Sequence, residues 1–449
     1  MRTKISIDRL RRFQRGGILE KTASRAKARA PGGGNSMTLQ EQAAAVKKAS
    51  YAMLTLSAPV RDAALNAMAE ALIANTAFVL EQNELDMKAA RAAGKPEAML
   101  DRLRLDEKRI LGMANGLKKV AALPDPIGRE DHTIKRPNGL AISKRRVPLG
   151  VIGIIYEARP NVTSDAVGLC VKSGNAVLLR GGSEAIHSNS AVTDVIARAA
   201  YAAGMPEGCI QLVRDTSRET AAEMMRLNGY LDVLIPRGGA ALIRSVVEHA
   251  TVPVIETGLG NCHTYIDNTA DVEMARSIAF NAKVSRPAVC NSMETLLVQR
   301  EMAEQHLSNI IAPMLAHNVE LRGCSRACAL LSGIKEATEE DWATEYDDYI
   351  LAIKVVDTLD EAIAHINRYG TRHSECIVTN DYAGAERFLN EVDAAAVYVN
   401  ASTRFTDGEE FGFGAEIGIS TQKLHARGPM GLDELTSVKY IVRGNGQIR

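Results

Sequence analysis

The chain has 449 residues, enough for two or three domains with large cores, and 46% are apolar while only 4% are aromatic. No run of about 18 apolar residues occurs, so no transmembrane helix is expected, and seven scattered cysteines, an odd number, suggest reduced thiols and not a disulfide framework. The formal charge of zero hides an asymmetry: residues 1–36 hold ten Lys/Arg against two acidic residues, leaving 44 basic and 52 acidic of the 54 of each sign to an acidic body that argues against nucleic acid as the main partner.

The basic segment ends in the linker Pro31-Gly-Gly-Gly-Asn-Ser36 and lacks a long apolar stretch, so a secretory signal is not expected. A translated upstream region, an Arg-rich transit peptide and a nucleic-acid-binding arm are its three readings. The first is favoured, with disorder expected over 1–36. From Met37 to about Pro124 the spacing of Leu65, Met68 and Leu72 predicts helices. Over 131–146 an Asn138-Gly139 turn joins two short arms of alternating apolar and basic residues, a β-hairpin signal.

Residues 147–256 alternate strand and helix. Strands are expected at Val151–Tyr156, Ala176–Leu179, Ile210–Val213, Val233–Ile235 and Val252–Ile255, with helices between them. Such alternation predicts a doubly wound parallel sheet that binds ligands at the carboxyl ends of its strands. No Gly-x-Gly-x-x-Gly follows any strand, so a nucleotide must be held by another arrangement. A second α/β stretch follows Gly260, with a helix at Asp360–Tyr369 and a strand at Ala395–Val399. Cys324 and Cys328 are four apart without a second Cys/His pair, so no metal site is expected.

Cys290 lies a few residues before the apolar run Thr295–Val298. Lys283 and Arg286 are close in sequence and would favour its thiolate, the form that attacks a carbonyl carbon. Three further segments need explanation beside it. They are Pro148-Leu-Gly to Arg159-Pro-Asn161, Leu179-Arg180-Gly181-Gly-Ser183-Glu184, and Glu256-Thr-Gly-Leu-Gly260-Asn-Cys-His263.

In that order the four segments resemble the aldehyde dehydrogenase superfamily. Asn161 after Arg-Pro, Ile235-Pro-Arg-Gly238-Gly239, the Tyr369 to Glu375 stretch and the ending Gly412-Phe-Gly-Ala-Glu-Ile-Gly-Ile-Ser420 are similar to the gamma-glutamyl phosphate reductase family. The resemblance covers Met37 to about Gly444. It implies an aldehyde dehydrogenase-like α/β fold of two doubly wound parallel-sheet domains plus a β-hairpin oligomerisation element. A cofactor domain is expected over 37–130 and 147–260, a catalytic domain over 261–431, and the oligomerisation element over 131–146 and 432–449.

The implied reaction is NADPH-dependent reduction of L-glutamyl 5-phosphate to glutamate 5-semialdehyde, a step of proline biosynthesis. Its implied setting is the cytoplasm, in a homodimer or higher, coupled to glutamate 5-kinase. Cys290 would be the nucleophile and Asn161 an oxyanion donor. Glu256 matches the glutamate that activates water in oxidising relatives, and a structural or proton-handling role stays open for it here. Arg180, Gly181, Ser183, Glu184, Gly238, Gly239 and Glu345 would serve the cofactor. Arg159, Lys283, Arg286, His373 and Arg404 would serve the substrate. An oxidative semialdehyde dehydrogenase and a non-catalytic oligomeric binding protein are the rival functions.

Overall fold

Six successive residues, Val151–Tyr156, are all buried, which only a strand covered on both faces allows. In the computed structural model, which describes residues 37–449, this strand sits inside a four-stranded parallel sheet. Its order is Ile210–Leu212, Ala176–Arg180, Val151–Tyr156, Val233–Arg237. The expected strand over Val252–Ile255 reduces to one bridge, Leu234 with Val254. Pro253 interrupts that segment, and a proline cannot donate to a ladder. The expectation for residues 1–36 lies outside the described residues. Leu39–Arg449 form one compact unit.

Five helices between Leu39 and Ala122 precede the hairpin. Leu65, Met68, Leu72, Ile110 and Leu117 pack them into the core of this sheet. Ile417, Ala426, Met430, Leu432 and Leu435 join that same core. The returning chain therefore packs on the first sheet, although the sequence expectation groups residues up to 431 with the second.

The second sheet has seven parallel strands in the order Lys335–Glu336, Glu320–Gly323, Ile350–Val356, Met293–Gln299, Cys262–Ile266, Ser374–Val378, Ala396–Val399. A bulge shifts the register between Cys262 and His263. The Asn138-Gly139 turn forms as expected, with Gly139 at φ 91°, and joins strands Glu130–Lys135 and Ala141–Pro148. Thr436–Arg443 adds antiparallel to the latter.

Candidate active site

Helix Val272–Val284 is capped by Asp271, whose side chain accepts from the Met274 N–H, and it ends seven residues before Asn291. The turn that follows carries Cys290 into the central strand Met293–Gln299. Other segments pin this turn. The Cys262 thiol donates to the Cys290 carbonyl at 3.2 Å, and the Thr403 hydroxyl donates to the Asn291 carbonyl at 2.7 Å. The Asn291 amide donates to the carbonyls of Arg404 and Thr406. Arg404 returns hydrogen bonds to Asn291 Oδ1 and Ser285 Oγ.

Gly260 lies against the nucleophile. A Cβ there would fall 1.6 Å from the Cys290 carbonyl oxygen, while the Gly260 N–H donates to Glu345 Oε1 at 2.8 Å. Gly260→Ala must therefore push the Cys290 backbone aside. A misplacement near 1 Å can cost about 10²-fold in rate, and we expect a loss of at least that size in steady-state turnover. An active Gly260→Ala enzyme would show that the turn tolerates displacement.

Burial raises the Cys290 thiol to about 12; Arg237 opposes this, and Glu416 and Glu345 add to it. The cation that serves the sulfur is thus Arg237, at the end of strand Val233–Arg237. Lys283, expected in that role and as a substrate ligand, is elsewhere. Its ammonium is fully buried and bonded at 2.5 Å to Glu294, also fully buried. His373 is likewise corrected as a substrate ligand. It has no exposed surface, burial lowers it to about 4, and its Nδ1 is taken by Ser374 Oγ at 2.8 Å.

The remaining expected cations converge. After burial, Arg159 is held down by repulsion from Arg102, Arg237 and Arg286. Arg404 is held down by burial and then Arg286, while Cys290 pulls it the other way. Arginines that repel one another in this way suit a site for an anion.

Asn161 opens helix Asn161–Lys172, and its amide donates to Asp165 Oδ2 at 3.1 Å. Burial raises Asp165 to about 6, with Asn161 and Arg237 opposing. Arg237 thereby links the asparagine and cysteine sides of the site. Glu256 is half-buried, and its N–H donates to Gln422 Oε1 at 3.2 Å. The acids acting most strongly on Cys290 are Glu416 and Glu345 instead. Arg237 and Glu416 both lie in quoted motifs, yet neither was assigned a role from sequence.

The expected cofactor residues gather where strands of the four-stranded sheet end. Arg180 closes its strand and donates to the carbonyls of Thr216 (2.6 Å) and Ser217 (3.1 Å); its buried Nε has no partner among the described residues. A Cβ at Gly181 would lie 2.1 Å from Asn189 Nδ2. Ser183 sits 3.4 Å from Glu184, which pairs with Lys95 at 3.6 Å. Gly238 and Gly239 lead into helix Ala240–His249, where the Gly239 N–H donates to the Glu157 carboxylate at 3.1 Å. A Cβ at Gly238 would meet that carboxylate at 2.6 Å. The glycines thus let Asn189 and Glu157 approach the backbone closely, and the Glu157 carboxylate occupies the N–H at the start of helix Ala240–His249.

The chain matches the aldehyde dehydrogenase family over residues 23–322 and 344–441. It is 61% identical over 403 residues to the gamma-glutamyl phosphate reductase of Heliobacterium modesticaldum, covering 90% of this chain and 97% of that one. Against the same-named protein of Clostridium novyi it is 61% identical over 409 residues, covering 91% and 98%. The crystal structure of Thermotoga maritima gamma-glutamyl phosphate reductase superimposes with a TM-score of 0.90 at 47% identity, covering 91% of this chain and 99% of that one. An acetylating aldehyde dehydrogenase of Geobacillus thermoglucosidasius shares the fold at 18% identity and a TM-score of 0.65, covering 91% and 97%.

Proposed function

Starting from the fact that this chain belongs to the aldehyde dehydrogenase family, among its gamma-glutamyl phosphate reductases, we propose that it reduces L-glutamyl 5-phosphate to glutamate 5-semialdehyde and phosphate. The supporting observation is a linked set of cations beside the thiol: Arg237 and Arg404 act on Cys290, and Arg159 and Arg286 act on those arginines in turn. A hydrolytic dehydrogenase has no phosphate to hold, whereas an acyl-phosphate reductase must bind one beside its nucleophile.

In this reading Cys290 attacks the acyl carbon and forms a thioester as phosphate leaves. Arg159, Arg286 and Arg404 hold the anionic groups of the substrate, and Arg237 favours the thiolate. The Asn161 amide and the Cys290 N–H donate to the developing oxyanion. Reduced nicotinamide, when bound, supplies the hydride. Arg180, Gly181, Ser183, Glu184, Gly238 and Gly239 line its crevice, and Glu345 faces the reacting end. The cation at Arg180 favours the additional phosphate of NADPH. Glu256 stands as a supporting carboxylate and not as a water-activating base.

Glutamate 5-semialdehyde with NADP⁺ should reduce the cofactor only when inorganic phosphate is present. Turnover indifferent to phosphate would move the chain to the oxidative semialdehyde dehydrogenases. The acyl phosphate is labile, so we place the enzyme in functional coupling with glutamate 5-kinase, in the cytoplasm. All seven cysteines are unpaired, which suits that reducing setting.

Tyr440 (63% exposed), Val442 (56%) and Val438 (45%) form an apolar row on strand Thr436–Arg443, an edge of its sheet. Such an edge favours association with a second copy. Light scattering should give a dimer or higher, and Tyr440→Glu should shift it toward monomer. A monomeric, active wild type would remove this part of the account.

A further inference from the structure

Helix Asn161–Lys172 buries Thr163, Ser164 and every residue from Ala166 to Lys172, and Asp165 is its one acidic residue. A carboxylate set among buried neighbours requires a partner. Among the described residues no ion pair supplies one; the donor is the Asn161 amide, 3.1 Å from Asp165 Oδ2. We propose that Asp165 is the positioning residue for Asn161, holding the amide so that its second N–H is presented to the oxyanion. This assignment rests on the acyl-phosphate reading above, in which Asn161 is an oxyanion donor, and adds the group that orients it.

The helix sets the pair. Side chains four residues apart lie over one helix face, so Asp165 stands above Asn161 without help from a loop. The first turn is fixed as well: the Val162 N–H donates to the Arg159 carbonyl at 3.0 Å, and the Ser164 hydroxyl donates to the Asn161 carbonyl at 2.9 Å. Asn161 itself is exposed, so packing does not choose its rotamer and the hydrogen bond must. The carboxylate meets open ground on its other side. A Cβ on Gly116 of helix Glu107–Ala122 would lie only 3.8 Å from Asp165 Oδ1, and Ser164 and Asp165 line a cleft of about 450 Å³ with Asn115, Asp407 and Glu416.

An amide has two ends of nearly the same shape. Turned round, Asn161 would offer its carbonyl oxygen to the site and repel an oxyanion. An ionised carboxylate only accepts, so it selects the end that carries the two N–H groups. One of these goes to Asp165, and among the described residues the other has no protein partner. Burial raises Asp165 to about 6, with Asn161, Arg237 and Ser164 opposing, which still leaves it ionised above neutral pH.

Asp165→Ala, Asp165→Asn, Asn161→Ala and Asn161→Ala/Asp165→Ala are to be compared with wild type in the phosphate-dependent oxidation of glutamate 5-semialdehyde by NADP⁺. Asp165→Ala should lose about 10- to 10²-fold in kcat, the scale of a misplaced catalytic group, while KM for the aldehyde holds. Asp165→Asn keeps an oxygen acceptor and should recover part of the rate. In the Asn161→Ala background, adding Asp165→Ala should cost less than about two-fold, because a residue acting through Asn161 then has nothing to orient. Equal losses in both backgrounds would overturn the assignment, since a carboxylate that merely stabilises its helix, or acts on Arg237, needs no Asn161. Asp165→Ala turning over at the wild-type rate, or raising KM alone, would overturn it too. If Asp165→Ala does not fold, Asp165→Asn completes the cycle under the same criterion. Asn161→Ala at the wild-type rate would overturn the assignment together with the donor role of Asn161. A wild type without phosphate-dependent turnover would sink the proposed function, on which the assignment stands.

Discussion

Arg237→Met is expected to lower phosphate-dependent kcat/KM by on the order of 10² to 10³, the usual cost of losing one preorganised electrostatic contact to a reacting centre. Arg237 is the strongest influence holding the Cys290 thiol down against burial, and even so the thiol stands near 12. Without the guanidinium the thiolate becomes scarcer at neutral pH, and Asp165 and Glu416 lose the cation that favours their charged forms. The sign can be checked directly: the alkylation rate of Cys290 should need higher pH in Arg237→Met than in wild type. Arg237→Lys should recover only part, because an ammonium cannot present a planar fork to several partners. Unchanged alkylation and turnover in Arg237→Met would show that the sulfur draws its activation from elsewhere.

Lys283→Met should destabilise the fold by about 3–5 kcal/mol, the range for breaking a buried ion pair by removing one partner. Both side chains of the Lys283–Glu294 pair are fully buried, 2.5 Å apart, and Glu294 Oε1 has no partner among the described residues. Desolvation is the leading influence on each: it lowers Lys283 and raises Glu294 to about 8. Removing the ammonium strands a carboxyl group that must then be buried charged or take up a proton. Urea unfolding of Lys283→Met beside Lys283→Met/Glu294→Leu separates the two effects. The double variant should recover most of the loss, since apolar replacement of a whole buried pair is often neutral or stabilising. A single variant within about 1 kcal/mol of wild type would mean that the pair is solvated after all.

These two residues mark the limits of what the sequence makes visible. Val151–Tyr156 is apolar throughout, so a doubly covered parallel strand is legible in the letters alone, as is the Asn138-Gly139 hairpin. Cys290 stands out because several motifs in order surround it. Lys283 was read as its activator from closeness along the chain. Closeness along a helix says little about direction, and in the last turn of Val272–Val284 this side chain points into the core toward Glu294. The cation that does act, Arg237, comes from the other sheet, and Glu416 comes from a segment returning after that sheet's partner is complete. Neither could be assigned without the packing that brings three distant stretches together. His373 is expected at the substrate only through the family resemblance, and its full burial keeps it from reaching a ligand.

The central claim is that Cys290 carries the acyl group between phosphate and hydride chemistry. Rapid mixing of wild type and Cys290→Ala with glutamate 5-semialdehyde and NADP⁺, with phosphate withheld, tests it most directly. Wild type should produce a burst of about one NADPH per site and then nearly stop until phosphate is added. Cys290→Ala should give no burst, because loss of a catalytic nucleophile costs on the order of 10⁶ in rate. Steady turnover without phosphate, or an equal burst from Cys290→Ala, would contradict the account.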